Sequence, residues 1–136
     1  GQLKDPITLD PHVLDQNNKL QCTACHDPHK DMEGNFLKRS NEFSELCFTC
    51  HDKAYWSNSS HNTATNSWNG TSPNPWAHMD SPYTTVSQNG CSNCHDTHNA
   101  NGKERLLKRE AEEDNCLDCH NGNVCLQSRT VCRNSA

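Results

Sequence analysis

The sequence predicts a fold of mostly irregular coil, with a few short α-helices and little or no sheet. Only 31% of the 136 residues are hydrophobic and 6% are aromatic, which is too little apolar material for an ordinary protein core. No stretch alternates between apolar and polar residues as a half-buried strand does. The segment 52–90 is rich in Asn, Ser, Thr and Pro, a composition that favours loops. Something other than side chains must therefore supply most of the buried apolar surface.

The strongest helix candidate runs from Asn101 to Cys119. Leu106 and Leu107 stand near its start, and the charged residues around them would form a solvent-facing side. Those charged residues are Arg105, Lys108, Arg109, Glu110, Glu112 and Glu113. The corresponding stretch from Phe36 to Cys50 is a weaker helix candidate.

Eight of the ten cysteines belong to four Cys-x-x-Cys-His motifs. Their cysteines are Cys22 and Cys25, Cys47 and Cys50, Cys91 and Cys94, and Cys116 and Cys119, followed by His26, His51, His95 and His120. Two thiols at this spacing can form thioether bonds to the vinyl groups of one porphyrin, and the histidine can bind its iron, so the motif is the attachment signature of c-type haem. The sequence therefore predicts four c-type haems as the core, with these four histidines as proximal iron ligands.

Two other interpretations of the cysteines compete with haem attachment. Two Cys-x-x-Cys pairs separated by 21 residues resemble a zinc ribbon, and a single pair can be a redox dithiol. Neither alternative requires a histidine directly after the second cysteine. No strand–helix–strand pattern surrounds any of the motifs, so the dithiol interpretation is the weakest of the three.

The motifs form two copies of one unit. The segments 22–51 and 91–120 each contain 30 residues and match at an offset of 69, without a gap. At that offset Leu37 falls on Leu106. The repeat predicts a small tetrahaem domain over 1–136 with quasi-twofold internal symmetry. Its parts are repeat one at about 12–51, a loop-rich connector at 52–77, repeat two at about 78–120 and a tail at 121–136.

Five of the nine histidines remain as candidates for the second axial position of each iron. They are His29, His98, His12, His78 and His61. His29 and His98 each lie three residues after a proximal histidine and can reach a neighbouring haem. Five candidates for four positions predict bis-histidine haems, with one histidine spare or serving another molecule. A doubly ligated iron passes electrons and has no open position for a substrate, so we expect no catalytic residue and no enzyme.

Cys125 and Cys132, in the tail, are not followed by histidine. Because haem attachment implies an oxidising compartment, we expect a disulfide between them, with free thiols or a bond to another chain as alternatives. The formal net charge is -5 and no basic block is present, so nucleic acid is not an expected partner. No apolar run approaches the ~20 residues of a membrane span.

The pattern Cys-x-x-Cys-His-Asp-Pro-His at 22–29, followed by Leu-Cys-Phe-Thr-Cys-His at 46–51, resembles the paired (doubled) CXXCH multihaem c-type cytochromes. The second block matches as well, with Thr97 where the first has Pro28. A narrower resemblance is to tetrahaem subunits of extracellular cytochrome filaments, or nanowires. It implies extracellular or cell-surface electron transfer in a head-to-tail polymer of the chain, in which a histidine such as His12 binds a haem of the adjacent subunit.

Other redox proteins or extracellular electron acceptors would be the remaining partners of such a polymer. Two alternatives stay open from the residues alone. One is a soluble periplasmic electron shuttle, and the other is a haem reductase subunit, which would need an open iron and commonly has an altered attachment motif.

Overall fold

The computed structural model describes residues 3–5, 9, 11–71, 73–77 and 82–125. The chain divides into two compact units, Gly1–Ser57 and Asn58–Ala136, called unit 1 and unit 2 below. Each unit contains one pair of Cys-x-x-Cys-His motifs. The single tetrahaem domain with its two repeats, connector and tail stays a prediction.

Short helical turns account for most of the regular structure in the described part of the chain. The α-helices are α1 (Ser60–Thr63), α2 (Val86–Asn89) and α3 (Glu112–His120). Two strands of two residues each, β1 (Ser67–Trp68) and β2 (Val124–Cys125), pair antiparallel. The 3-10 turns are Cys22–Ala24, Glu42–Ser44, Cys47–Thr49, Trp56–Asn58, Gly90–Asn93 and Glu104–Leu106. The predicted mixture of irregular coil, few short helices and almost no sheet is therefore confirmed.

Unit 1 is held mainly by backbone hydrogen bonds between loops. Leu3 bridges to His51, and Leu14 bridges to Leu20 across a turn. In the described part of this unit Val13 is the only buried hydrophobic side chain. Side chains therefore contribute little to a core here.

Unit 2 has a larger but still small interior. Its buried hydrophobic side chains are Trp76, Val86 and Ala100, among the residues that the structure describes. Helix α2 begins with a capping box, in which Thr85 and Gln88 each bond the other's backbone. The α2 backbone also bonds back to the segment after α1, from Val86 to the carbonyl of Asn66 (2.9 Å) and from Ser87 to that of Ala64 (3.0 Å).

Exposed apolar side chains are frequent, as expected for a chain whose core is not made of side chains. They include Leu20, Phe36, Phe43, Leu106 and Leu117, all at least 45% exposed. Within the described ranges, no helix has the length and apolar character that crossing a membrane requires.

The helix predicted from Asn101 to Cys119 is wrong in its first half. Only Glu112–His120 is α-helical, and a 3-10 turn covers Glu104–Leu106. The reason is tertiary hydrogen bonding: Leu107 bridges to His95, and the Lys108 N–H donates to the carbonyl of Cys94 (3.0 Å). These bonds hold the chain extended where local propensity favours a helix.

Candidate haem-attachment sites

Each of the first three motifs closes one tight turn between its first cysteine and its histidine. The backbone N–H of each histidine donates to the carbonyl oxygen of the first cysteine of its motif. The distances are 3.0 Å for His26 to Cys22, 3.0 Å for His51 to Cys47 and 3.1 Å for His95 to Cys91. The fourth motif forms the last turn of α3, which ends at His120. All four motifs therefore hold two thiols and an imidazole on a single helical turn, which is what attachment to one porphyrin requires.

The imidazoles of His26 and His95 are oriented by backbone carbonyls. Nδ1 of His26 lies 2.9 Å from the carbonyl oxygen of Asn35, and Nδ1 of His95 lies 2.7 Å from that of Arg105. A carbonyl can only accept, so in the neutral tautomer that fits this bond Nδ1 is the donor and Nε2 is the nitrogen that can bind a metal. Metal-binding histidines are commonly fixed in this way by a hydrogen bond at the other ring nitrogen.

Pairs of left-handed residues place these carbonyls. Asn35 and Phe36 have φ of 53° and 57°, and Arg105 and Leu106 have φ of 56° and 59°. Large side chains in this region cost about 1–2 kcal/mol per residue, so surrounding contacts must hold them there. The carbonyl of the second residue in each pair also accepts a hydrogen bond from the residue that follows the histidine. The N–H of Asp27 donates to Phe36 (2.7 Å), and the N–H of Asp96 donates to Leu106 (2.8 Å).

These bonds correct the register of the internal repeat. His26 bridges to Leu37, whereas His95 bridges to Leu107. Leu37 therefore corresponds to Leu107. The alignment without a gap predicted Leu106 at this position, which is wrong by one residue. The loop after the third motif is one residue longer than the loop after the first, and the segment before the fourth motif is one residue shorter.

The second cysteine of three motifs is partly buried. Burial raises the pKa of the Cys25 thiol, with a further contribution from Cys50. Burial likewise raises the pKa of the Cys94 thiol, with a contribution from Cys116, and raises that of Cys119 to about 11. In unit 2 the two motifs are joined by Lys108, whose backbone N–H donates to the carbonyl of Cys94 (3.0 Å) and whose ammonium group pairs with Asp118 in the fourth motif (3.1 Å). None of the eight motif cysteines is in a disulfide.

The structure places four of the five distal candidates. His29 and His98 are exposed, and their backbone N–H groups donate to the carboxylates of Asp27 (3.0 Å) and Asp96 (3.2 Å). The aspartates that follow His26 and His95 thus fix the turns that carry His29 and His98.

His12 and His61 are also exposed. The ring of His61 lies close to that of proximal His120, with centroids 6.1 Å apart. His78 and the predicted disulfide partner Cys132 lie outside the described residues, and for Cys125 only the backbone is described. The assignment of distal ligands and the disulfide stay predictions.

Two polar side chains inside the motifs, buried Asn93 and partly buried Asp118, were missed from the sequence. Asn93, inside the third motif, accepts from the Trp76 indole (2.8 Å) and donates to the carbonyls of Val86 (2.8 Å) and Gly90 (2.6 Å). Asp118, inside the fourth motif, accepts from Lys108 (3.1 Å) and Arg109 (3.1 Å). Their positions between the two cysteines of a motif are the only signal in the sequence, and it is a weak one.

The residues present fit a covalently bound haem. The oriented histidines leave Nε2 for an iron, and apolar side chains near the motifs are left exposed. The indole N–H of Trp56 is buried and finds no hydrogen-bond partner among the described residues, and its ring lies 6.1 Å from that of Phe48 in the second motif. Such a donor suits an anionic oxygen such as a haem propionate. Among the described residues no His, Cys, Asp and Glu cluster of three or more is arranged to hold a bare metal ion.

Thiols paired at this spacing with an oriented imidazole define a protein that binds haem covalently, a multihaem c-type cytochrome. The family model described as the doubled CXXCH motif matches residues 15–55 and 84–124. These ranges include all four motifs and more than half of the chain, so the protein belongs to the doubled CXXCH family. No curated protein and no solved structure matches the chain. The family supports electron transfer by covalently bound haem iron.

Proposed function

We propose that the chain carries four c-type haems, each with two histidine ligands, and that it passes electrons and does not catalyse a reaction on a substrate. A bis-histidine haem iron exchanges single electrons and has no open coordination position. The eight motif cysteines supply four attachment sites, and the nine histidines supply an axial pair for each with one to spare. Arrangement of the repeats about a quasi-twofold axis belongs to the same proposal.

The observation that carries the proposal is the proximity of the third and fourth motifs in unit 2. The backbone N–H of Lys108 donates to the carbonyl of Cys94 in the third motif (3.0 Å), and its ammonium group pairs with Asp118 in the fourth (3.1 Å). Groups attached to these two motifs are therefore neighbours. Short separations between redox groups are what electron passage along a protein needs, and they require no movement of the chain.

Several residues of the chain position the ligands. The carbonyls of Asn35 and Arg105 hold the rings of His26 and His95, and Asp27 and Asp96 fix the backbone of His29 and His98. The carbonyl bonds set the orientation of the His26 and His95 rings before any redox change, and the aspartate bonds fix the turns that carry His29 and His98. A site fixed in this way reorganises little when the charge on it changes.

The first prediction concerns the number and spin state of the haems. Intact mass under denaturing conditions is expected to show four covalently attached haems per chain, because the four motifs offer the same pair of thiols. Electron paramagnetic resonance of the oxidised protein is expected to show low-spin iron only, because each iron has two histidine ligands. Fewer than four attached haems, or high-spin iron in the unmodified protein, would contradict the proposal.

The finer proposal is that the chain is a subunit of an extracellular or cell-surface filament, in which copies join head to tail. Five distal candidates for four positions leave one histidine that can serve a neighbouring copy. His12 suits this role because it lies near the N-terminal end and is exposed. The net charge of -5 and the lack of a basic block leave the chain without a basic docking patch that a soluble shuttle could use.

The second prediction is that negative-stain microscopy of the haem-loaded protein shows filaments, and that His12→Ala abolishes them. Replacing the bridging histidine removes a metal–ligand bond between subunits, while all four covalent attachments remain. Intact mass checks that the variant still carries four haems. If the unmodified protein is monomeric at every concentration, the filament proposal fails and the periplasmic shuttle is favoured. Filaments that persist in His12→Ala would exclude His12 as the bridge.

A further inference from the structure

We infer that His61 and His120 bind opposite faces of one haem iron, the one attached through Cys116 and Cys119. The inference rests on the proposed attachment of a haem at the fourth motif and adds the identity of its distal ligand. His61 lies in α1 and His120 ends α3, 59 residues further along the chain. Both belong to unit 2.

The distance between the two rings is the first argument. Their centroids are 6.1 Å apart and their planes meet at 79°. Two imidazoles that bind one metal from opposite sides, with metal–nitrogen bonds of about 2 Å, have centroids about 6 Å apart. The observed separation therefore matches a shared iron. It also falls within the range of an ordinary edge-to-face contact, which is about 4.5–7 Å, so the distance alone does not decide.

The exposure of the two histidines favours the shared iron. An edge-to-face pair that served only packing would be stabilised by excluding water from the contact. Both histidines are instead exposed. Leu117, in the same motif as His120, is also exposed, at 52%. The two imidazoles and this leucine are therefore all exposed at the fourth motif, where the proposed haem attaches.

The backbone around His61 is tied to the backbone around His120, which makes the approach of the rings a property of the fold. Strands β1 and β2, which follow the two histidines in sequence, pair with each other. Asn69 extends this pairing, since its N–H donates to the carbonyl of Asn123 (2.9 Å) and its amide donates to that of Gly122 (3.0 Å). Buried Asn123 in turn donates to the carbonyl of Asp118 in α3 (2.8 Å).

The start of the segment is fixed as well. The side chain of Ser59 caps α1 by accepting from the N–H of Asn62 (3.2 Å). The carbonyls of Ala64 and Asn66 accept from α2, which leads directly into the third motif. His61 is thus held between the element before the third motif and the strand after the fourth, and its position does not depend on a flexible loop.

The third prediction tests the pairing with the haem-loaded protein. Loss of His61 is expected to leave the covalent haem content unchanged and to convert about one quarter of the haem iron to a high-spin form that binds carbon monoxide when reduced. His61→Ala and His61→Phe should behave alike, although phenylalanine keeps an edge-to-face contact. His61→Met should stay low-spin and acquire the near-infrared band of methionine-ligated haem, with a higher reduction potential.

Thr63→Ala is the matched control, since Thr63 lies in the same helical turn and is exposed; it should change none of these signals. Retention of the unmodified spectra by all three His61 variants, with four haems attached, would overturn the pairing and leave the proposed function intact. Peptide mapping of the protein without substitutions is the second test. If it finds no haem attached to Cys116 and Cys119, both the proposed haem count and the pairing are overturned.

Discussion

Preventing haem attachment in unit 1 is expected to abolish the ordered structure of residues 11–57. A variant with serine at all four motif cysteines of this unit should lose its protection against amide hydrogen exchange there, to the level of an unfolded chain. The four cysteines are Cys22, Cys25, Cys47 and Cys50. The physical reason is the interior of the unit, where Val13 is the only buried hydrophobic side chain among the described residues. Loop-to-loop hydrogen bonds cannot by themselves offset the conformational entropy of the chain.

The matched variant carries serine at the four motif cysteines of unit 2, which are Cys91, Cys94, Cys116 and Cys119. Some amide protection is expected to remain around α2, because Trp76 and Val86 are buried and Asn93 links them by hydrogen bonds. The comparison is made by hydrogen exchange and mass spectrometry of peptides from both units. Native-like protection of unit 1 without its haems would show that the loops fold on their own and would refute this account of the core.

Replacing Asp118 by asparagine is expected to lower the free energy of unfolding by about 3 kcal/mol, as when one partner of a buried ion pair is removed. The side chains of Lys108 and Asp118 are only 6% and 16% exposed. Lys108 also donates to the carbonyl of Pro75 (3.1 Å), so the lysine cannot move into water without breaking a second bond. The asparagine variant leaves its ammonium group buried without a compensating charge.

The measurement is the guanidinium midpoint of the haem-loaded protein, followed by circular dichroism. Glu104→Gln is the control, because its contact with Arg105 is 3.5 Å long and the two side chains are 83% and 71% exposed. That variant should cost less than about 0.5 kcal/mol. Equal midpoints for the two variants would show that the Lys108–Asp118 pair does not stabilise the fold. In unit 1 the corresponding position is Thr49, so the pair is not a requirement of haem attachment itself.

The candidate attachment sites can be read from the sequence because covalent chemistry dictates their spacing, and the family match covers the same motifs. Two thiols and an imidazole must meet one porphyrin, and this leaves two residues between the cysteines and none before the histidine. The scarcity of buried apolar side chains was predictable from composition, because the sequence contains few apolar residues. The fold class followed from both facts.

The path of the chain between the motifs could not be predicted, because backbone groups determine it. The carbonyls of Asn35 and Arg105 bind imidazoles, and a carbonyl has no identity in the sequence. The left-handed pairs that aim these carbonyls include Phe36 and Leu106, residue types that do not favour that conformation. Because of these bonds the helix begins at Glu112 and not at Asn101. They also align Leu37 with Leu107, one residue away from the predicted counterpart.

The proximity of His61 and His120 was beyond a sequence argument as well. The strands that link their segments contain two residues each, which is too short for a periodic pattern. The start of α2 could have been found, since Thr85 and Gln88 have the spacing of a capping box. That signal alone places a helix but says nothing of the strand pairing that brings the two histidines together.

The unequal lengths of the loops after the first and third motifs indicate that these loops tolerate inserted residues. Eight residues separate Asp27 from Phe36 and nine separate Asp96 from Leu106, yet both loops close with the same hydrogen bonds. Met32, in the shorter loop, is 84% exposed, and the space beside Gly34 is open. Since lengthening an exposed loop costs little, a short peptide tag inserted next to Met32 would let the protein be anchored to an electrode in a chosen orientation, with its haem-binding turns undisturbed.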